Sequence, residues 1–199
     1  MGSSPTSGTM NKKQIKSLSY IVGVALGDGN LSNSNKRAIR LRVTCDNKYP
    51  KIIEEIVKHL KIILPDNKIG LIDRKTATDV YCYSNKLEDL LGWKALEGSK
   101  EKQKVTVPDW IVNDKIYTIE CLRGLFQTDG SIYMDRKYLF TNFTSIIPTL
   151  INVVYFMIEN IGFKPKMQKT IQPNRKTKYV IRMSREPDKF IKAINLWKR

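Results

Sequence analysis

The chain has 199 residues, enough to bury a core as one domain or as two small fused ones. Its 35 Lys and Arg residues against 19 Asp and Glu residues give a formal net charge of +16, which indicates a polyanionic partner, with nucleic acid as the leading candidate. Three scattered cysteines and one histidine exclude a disulfide scaffold and give little support to a zinc site or a histidine-based triad.

Residues 1–10 are polar and contain an internal Met, so they are interpreted as a leader added during cloning and are expected to be disordered. The sequence contains neither a signal peptide nor an apolar run of membrane-spanning length. We therefore expect a soluble intracellular protein without a membrane partner, in a reducing compartment such as the cytoplasm or an organelle matrix. The single histidine, His59, lies among charged residues and is expected to be solvated.

The first half of the chain, 11–97, is predicted to alternate helices with pairs of strands. Ile39, Leu41 and Val43 alternate with basic residues, the pattern of a half-buried strand whose exposed face is cationic. In chain order, we predict an apolar helix over 18–30, a strand over 36–44, an amphipathic helix over 48–64, strands over 68–74 and 78–84, and a short helix over 85–91.

A polar connector over 98–106 is predicted to separate this half from a second half, 107–199. The second half repeats the order of the first, so that each half reads α-β-β-α-β-β-α. We predict a helical unit from 107 that leads into the apolar segment 120–131, a hairpin of 131–134 and 137–143, a helix over 146–161, strands over 164–172 and 178–183, and a helix over 187–197.

Two segments of the same design open the two halves. Each is an apolar, helix-length run that ends in Asp-Gly, with the aspartates at Asp28 and Asp129. The two aspartates are 101 residues apart, and so are Gly23 and Gly124. A constant offset of this kind indicates an internal duplication.

The Asp-Gly endings predict a metal site. Gly29 and Gly130 are expected to end the helices in a left-handed conformation, which places Asp28 and Asp129 in the last turns. A carboxylate is disfavoured there by about 0.3–1 kcal/mol, because the end of a helix carries partial negative charge. Its presence in both copies therefore indicates a bound divalent cation, for which carboxylates and free carbonyl oxygens are suitable ligands.

Small residues on one face of each segment predict that the two helices touch. Gly23 and Gly27 lie four residues apart and share a face, and Gly124 and Thr128 occupy the same places in the second copy. We expect Gly23 and Gly124 to form the helix interface, which would bring the two aspartates side by side.

Basic and polar side chains collect on the exposed strand faces and hairpin turns. We expect the strands of both halves to form a saddle whose cationic side binds duplex DNA, through phosphates and through base edges in the major groove. The predicted DNA-binding residues are Arg40, Arg42, Arg74, Arg136, Lys137, Lys164, Lys166, Gln168, Lys178 and Arg182.

The two motifs, their offset and the order of elements resemble the LAGLIDADG homing endonucleases, in the form in which one chain carries both pseudo-symmetric halves. The motifs read IVGVALGDG over 21–29 and LRGLFQTDG over 122–130. The resemblance implies an α+β fold of two α-β-β-α-β-β-α halves, packed through the motif helices, with antiparallel sheets forming the saddle.

The resemblance also implies a function: a site-specific, Mg²⁺-dependent DNA endonuclease that acts as a monomer without a protein partner and in whose site Ca²⁺ or Mn²⁺ can substitute. It implies metal binding and catalysis by Asp28 and Asp129, metal contacts from the backbone carbonyls of Gly27 and Thr128, and a catalytic role for Lys100. The second-half counterpart of this lysine is expected near or beyond residue 198.

Two other classes of protein stay open. A non-cleaving binder on the same scaffold, such as an intron RNA maturase or a DNA-binding regulator, has no need of both carboxylates. A basic structural RNA-binding protein accounts for the charge but leaves the paired Asp-Gly segments unexplained. Because Asp28 and Asp129 are both present, the sequence favours the nuclease.

Overall fold

The computed structural model describes residues 10–33, 37–171 and 173–198. The expected leader lies outside the described residues except for Met10, which is partly buried against the hydrophobic core. The chain then enters its first helix directly, because Asn11 and Gln14 form a reciprocal capping box at the helix N-terminus.

Seven helices and eight strands lie within the described ranges. The helices are α1 (Lys12–Gly27), α2 (Pro50–Ile63), α3 (Leu87–Leu91), α4 (Asp109–Val112), α5 (Lys115–Thr128), α6 (Pro148–Asn160) and α7 (Pro187–Ala193). The strands are β1 (Gly29–Ser32), β2 (Arg40–Asp46), β3 (Ile69–Asp73), β4 (Ala77–Tyr83), β5 (Gly130–Asp135), β6 (Tyr138–Ser145), β7 (Lys166–Thr170) and β8 (Lys178–Met183). In this part of the chain, no helix combines the length and apolarity that a bilayer-spanning segment needs.

The strands form two antiparallel sheets of four strands with equivalent orders, β1-β2-β4-β3 and β5-β6-β8-β7. Their registers are also equivalent, because Gly29 faces Val43 in the first sheet and Gly130 faces Phe143 in the second. The helices cover one face of each sheet, and the buried side chains of both sheets belong to one hydrophobic core. The predicted α+β fold of two pseudo-symmetric halves is confirmed.

The two motif helices, α1 and α5, make the most extensive packing among the described elements. A β-carbon at Gly23 would lie 2.1 Å from the carbonyl oxygen of Cys121, and one at Gly124 would lie 2.4 Å from the carbonyl oxygen of Tyr20. Both distances are far below van der Waals contact, so the backbones approach as closely as they do only because neither position carries a side chain.

Gly29 and Gly130 do not adopt the left-handed conformation that the sequence predicted. Each begins a strand, and neither has positive φ. A β-carbon at Gly29 would lie 2.5 Å from Cα of Ala25, and one at Gly130 would lie 2.3 Å from the carbonyl oxygen of Phe126. Glycine is therefore required because each strand leaves its helix by folding back against the last turn.

A buried polar network joins α2 to the motif helices and corrects the expectation for His59, whose side chain is only 12% exposed. The hydroxyl of Tyr20 donates to Gln127 (2.7 Å), which donates to Glu55 (3.0 Å). Arg123 lies 3.2 Å from the same carboxylate, and the His59 ring packs 4.4 Å from that of Tyr20. Burial acts to raise the pKa of Glu55, but these partners hold it below its usual value.

Several predicted boundaries in the second half differ from the structure. The last helix ends at Ala193 rather than at 197, and Lys164 precedes β7 instead of lying on it. The hairpin turn consists of Arg136 and Lys137, since Arg136 has a φ of 55° and Asp135 still pairs with Tyr138. The polar turn expected at 33–36 lies largely outside the described residues.

Candidate active site

The two motif aspartates lie at the adjacent ends of the packed helices. Asp28 follows the last residue of α1 and Asp129 follows the last residue of α5. A β-carbon at Gly27 would lie 2.0 Å from Oγ1 of Thr128 and 3.3 Å from Oδ2 of Asp129. The missing side chain at Gly27 therefore lets the second carboxylate approach the end of the first helix.

Lys100 binds the C-terminal end of α1. Its ammonium group donates hydrogen bonds to the carbonyl oxygens of Ala25 (3.1 Å), Leu26 (2.7 Å) and Gly27. A cation at a helix C-terminus is stabilised by the unpaired carbonyls there. The lysine predicted from the family resemblance thus lies beside the aspartates, although 73 residues separate it from Gly27 in the chain.

Lys198 binds the end of α5 in the same manner. Its ammonium group donates to the carbonyl oxygens of Thr128 (2.8 Å) and Gly130 (2.6 Å). The sequence placed the second-half counterpart of Lys100 near or beyond residue 198 but did not assign a residue, although Lys100 and Lys198 are 98 residues apart, close to the offset of the motifs. That near-match was the available signal.

The four charged groups of the site affect one another. Burial and the neighbouring charge of Asp28 raise the pKa of Asp129 to about 6. Burial also raises the pKa of Asp28, against the opposing effect of the two ammonium groups. The pKa values of Lys100 and Lys198 are lowered, because burial outweighs the attraction of the carboxylates. The site is therefore a crowded, half-buried cluster of two carboxyl groups and two lysine amino groups.

Two cavities of unequal size flank the aspartates. The larger, of 410 Å³, is lined by Asp129 and Lys100 and also by Thr144, Lys176 and Lys178. Within it, Lys176 forms an ion pair with Glu101 of the connector. The smaller cavity, of 80 Å³, is lined by Asp28, Cys45, Asp46, Tyr49, Ile52, Gln127, Thr128 and Lys198. Each aspartate therefore faces its own cavity: Asp129 and Lys100 line the larger one, and Asp28 and Lys198 line the smaller one.

The donor atoms of the site suit a hard divalent cation. The described residues contain no group of three or more His, Cys, Asp or Glu side chains placed to hold a metal. A metal at this point would therefore depend on the carboxylates of Asp28 and Asp129 and on nearby backbone carbonyls, with Gly27 and Thr128 as the candidates. Carboxylate and carbonyl oxygens are the ligands that Mg²⁺ and Ca²⁺ prefer.

The predicted DNA-binding residues of the first half lie on the sheet face that no helix covers. Arg40 and Arg42 alternate along β2 with the buried residues Leu41 and Val43. Arg74 follows the end of β3, where its side chain is 55% exposed. Together with the tyrosines of β4, these arginines form a basic and aromatic surface.

The predicted residues of the second half are more scattered. Pairing places Lys166 opposite Arg182 on the uncovered face, and Lys178 reaches the larger cavity. Arg182 is partly enclosed, because it donates to the hydroxyl of Tyr133 (2.9 Å) and stacks 5.1 Å above the ring of Phe140. The remaining predicted residues are Gln168 on β7, Lys164 before it, and Arg136 and Lys137 in the β5–β6 turn.

Comparison with known proteins identifies this arrangement. Residues 117–195 match the family model described as the LAGLIDADG-like domain. This match lies within the second half of the chain. Because the first half repeats its sheet order and register, the whole chain has the two-motif, single-chain LAGLIDADG fold, and the predicted resemblance is confirmed.

Solved structures support the same fold over nearly the whole chain. The homing endonuclease I-DmoI in complex with DNA and Mn superposes with a TM-score of 0.68 at 16% identity, covering 94% of this chain and 99% of that one. I-DmoI with DNA and Ca gives 0.65 at 18% identity, covering 92% and 91%. The N-terminal LAGLIDADG domain of DUF199/WhiA gives 0.63 at 12% identity, covering 98% and 89%. No curated protein sequence matches the chain.

Proposed function

We propose that this protein is a site-specific endonuclease that hydrolyses both strands of a long DNA target with the help of Mg²⁺. The observation that carries the proposal is the meeting of Asp28 and Asp129 at the ends of two packed helices, with Lys100 and Lys198 on the adjoining carbonyls. For stability alone, neutral side chains at these two helix ends would serve better than four crowded charges.

The chemistry is divided among these groups. Asp28 and Asp129 would hold the cation, together with the backbone carbonyls of Gly27 and Thr128. A bound divalent cation activates water and stabilises the charge that develops at phosphorus. Since the metal supplies the activated water, the site needs no histidine base.

The lysines would act on the DNA itself. Lys100 and Lys198 are held at the helix ends by hydrogen bonds of 2.7 Å and 2.8 Å to carbonyl oxygens, so each ammonium group is positioned before a substrate arrives. Lys198 has one N–H left to donate to a phosphate oxygen, whereas the three N–H groups of Lys100 are engaged and its charge alone would act. A preorganised positive group beside the reacting phosphorus stabilises the transition state. Cleavage of two strands requires two such positive groups, and each aspartate has one of these lysines beside it.

The basic sheets supply binding. The exposed arginines and lysines of both halves would neutralise phosphates, so the association constant should fall with salt by a log-log slope of about −0.9 for each phosphate contacted. I-DmoI, the homing endonuclease that this chain resembles in fold, is solved with DNA and with Mg, Mn or Ca. We therefore propose that the protein acts as a monomer on duplex DNA, with its two halves binding the two half-sites.

The three cysteines are buried free thiols, which suits a reducing compartment.

A second candidate function is binding without cleavage, as a regulator or an RNA maturase. It is favoured by the similarity to the WhiA domain, whose TM-score of 0.63 is close to those of the endonucleases. The retention of both Asp28 and Asp129 favours the nuclease. Only direct measurement of cleavage distinguishes the two functions.

The test is selection of cut and bound sequences from a randomised duplex library, with Mg²⁺ for cutting and with Ca²⁺ for binding. We expect the wild-type chain to yield cleaved sites, and Asp28→Asn and Asp129→Asn to bind the same sites without cutting them. Asp66→Asn, an exposed aspartate outside the site, is the matched control and should cut normally. Binding without cutting by the wild type would establish the second candidate instead.

A further inference from the structure

A cavity of 240 Å³ on the uncovered face of the first sheet combines positive, aromatic and negative groups. The side chains of β2, β4 and the end of β3 line it, and the ones that carry its chemistry are Arg40, Arg42, Arg74, Asp79, Tyr81 and Tyr83. A carboxylate is unexpected there, because a negative charge on a DNA-binding surface repels phosphates.

Asp79 lines this cavity, and each of its two carboxylate oxygens accepts a hydrogen bond. It is 1% exposed, accepts a hydrogen bond of 2.6 Å from the hydroxyl of Thr44, and accepts another of 2.5 Å from Nη2 of Arg74. The hydrogen bond from Thr44, together with the nearby arginines, keeps its pKa below the usual value, so the carboxylate is ionised. Its charge therefore offsets that of Arg74.

Arg74 is held at both its backbone and its side chain. Its amide donates to the carbonyl oxygen of Ala77 (2.8 Å), and its own carbonyl oxygen accepts from the side chain of Asn47 (3.1 Å). Asp79 takes only one of the two hydrogens of Nη2, so the other hydrogen and the N–H of the neighbouring nitrogen still form an edge with two parallel donors. The side chain is 55% exposed, so this edge is open to the solvent side of the sheet.

We propose that this cavity is a subsite for guanine, in which Arg74 reads the major-groove edge of the base and Asp79 is the residue that positions it. A rigid, planar pair of donors matches the O6 and N7 acceptors of guanine, and no other base presents two acceptors in that arrangement. This inference rests on the proposed function, since it assumes that the sheet binds duplex DNA.

Charge and position favour a base over a phosphate as the partner of Arg74. A guanidinium offset by an ionised carboxylate offers little net attraction to a phosphate, whereas its hydrogen-bond geometry is unchanged. The subsite also lies towards the cleavage centre, because Ala77 pairs with Asp46, which lines the same small cavity as Asp28. The guanine therefore belongs to the part of the first half-site nearest the cut.

The second sheet lacks an equivalent pair. Thr44 faces Asp79 across the first sheet, and the corresponding Thr144 faces Val180 across the second. A valine can neither accept from a threonine nor hold an arginine. The guanine preference should therefore occur in one half-site only, which would give the target an orientation.

The test is a binding selection from the randomised duplex library in Ca²⁺, followed by titration of the selected duplex over a range of salt concentrations. The wild type should enrich guanine at one position near the centre of one half-site. Arg74→Met and Arg74→Lys should each reduce that preference by about 10-fold or more, because a lysine keeps the charge but loses the paired donors. Asp79→Asn should reduce it by about 5-fold, and none of these variants should lower the salt slope.

Arg136→Gln, in the β5–β6 turn, is the control for a phosphate contact. It should weaken all sequences alike and reduce the slope by about 1. If Arg74→Met behaves in that way and leaves the guanine enriched, Arg74 binds phosphate and the subsite is refuted. A wild type that selects guanine in Ca²⁺ but does not cut in Mg²⁺ upholds the subsite and refutes the nuclease. A wild type that selects no sequence refutes both.

Discussion

Lys198 donates a 2.8 Å hydrogen bond to the carbonyl oxygen of Thr128, which repeats at the end of α5 the contact that Lys100 makes at the end of α1. This pairing means that the lysines of the site are repeated in the two halves, as the aspartates are. It also places one of these two helix-capping lysines in each flanking cavity, so that each strand of a bound duplex would meet one carboxylate and one ammonium group.

The first prediction concerns Lys198. Replacing it with Met removes the ammonium group beside Asp28 and should slow cleavage by about 10- to 100-fold, because a positioned cation is lost from the transition state. Lys100→Met should have a similar effect, and Lys192→Met, an exposed lysine on α7, should have none. The check is a single-turnover cleavage rate on a selected site. Equal rates for the Lys198→Met and Lys192→Met variants would contradict the pairing.

The second prediction concerns the stability cost of Asp129. Its pKa is raised to about 6 in the folded chain, so the folded state binds a proton more tightly than the unfolded state does. The contribution of Asp129 to the free energy of unfolding should therefore fall as the pH rises from about 4 to about 6 and stay low above that. With metal chelated, Asp129→Asn should be more stable than the wild type by about 1–3 kcal/mol at pH 7.5.

Urea denaturation in EDTA at pH 4 and pH 7.5 measures this gain, which should disappear at the lower pH. Asp66→Asn controls for the loss of a surface carboxylate and should change stability by less than about 0.5 kcal/mol. A gain that is equal at both pH values would mean that it does not arise from ionisation.

The third prediction is that divalent cations stabilise the folded chain through the same aspartates. A ligand that binds only the folded state raises the melting temperature in proportion to the logarithm of its concentration. Millimolar Mg²⁺ or Ca²⁺ should thus raise the melting temperature of the wild type but not that of an Asp28→Asn/Asp129→Asn double variant. If the double variant responds as strongly, the cation binds elsewhere. No DNA is needed for this measurement.

The fourth prediction concerns the helix interface. Gly23→Ala would place a β-carbon 2.1 Å from a backbone oxygen of α5, which side-chain rotation cannot relieve, so it should cost about 3 kcal/mol or more. Gly162→Ala is the control: Gly162 has a φ of 97°, but a β-carbon there would have no neighbouring atom within 4 Å, so only backbone strain of about 1–2 kcal/mol is expected. Equal losses in denaturant unfolding would contradict the close packing.

Much of the architecture follows from local patterns. The apolar segments, the alternation of Leu41 and Val43 with arginines, and the repeat of Asp-Gly after 101 residues predicted the helices, the strands and the two halves. These signals are readable because a helix face and a strand face have fixed periods that depend only on neighbouring residues. The fold and the family resemblance are accordingly confirmed, while the roles of the site residues stay predictions.

Other features depended on contacts between distant parts of the chain. The sequence indicated the wrong reason for the glycine at position 29, which is required because the strand folds back against Ala25. It also predicted that His59 is solvated, whereas the ring packs against Tyr20. In neither case does the residue's own neighbourhood in the sequence reveal what will cover it.

By itself, then, the sequence determined that two equivalent halves exist, that each ends a helix in an aspartate, and that the exposed strand faces are basic. Only the tertiary structure decided that Lys198 binds the carbonyl oxygen of Thr128, 70 residues away, and that Asp79 pairs with Arg74 beneath a basic surface. The physical reason is that periodicity and turn chemistry act over a few residues, whereas the partners of a buried charge are chosen when the whole chain has packed.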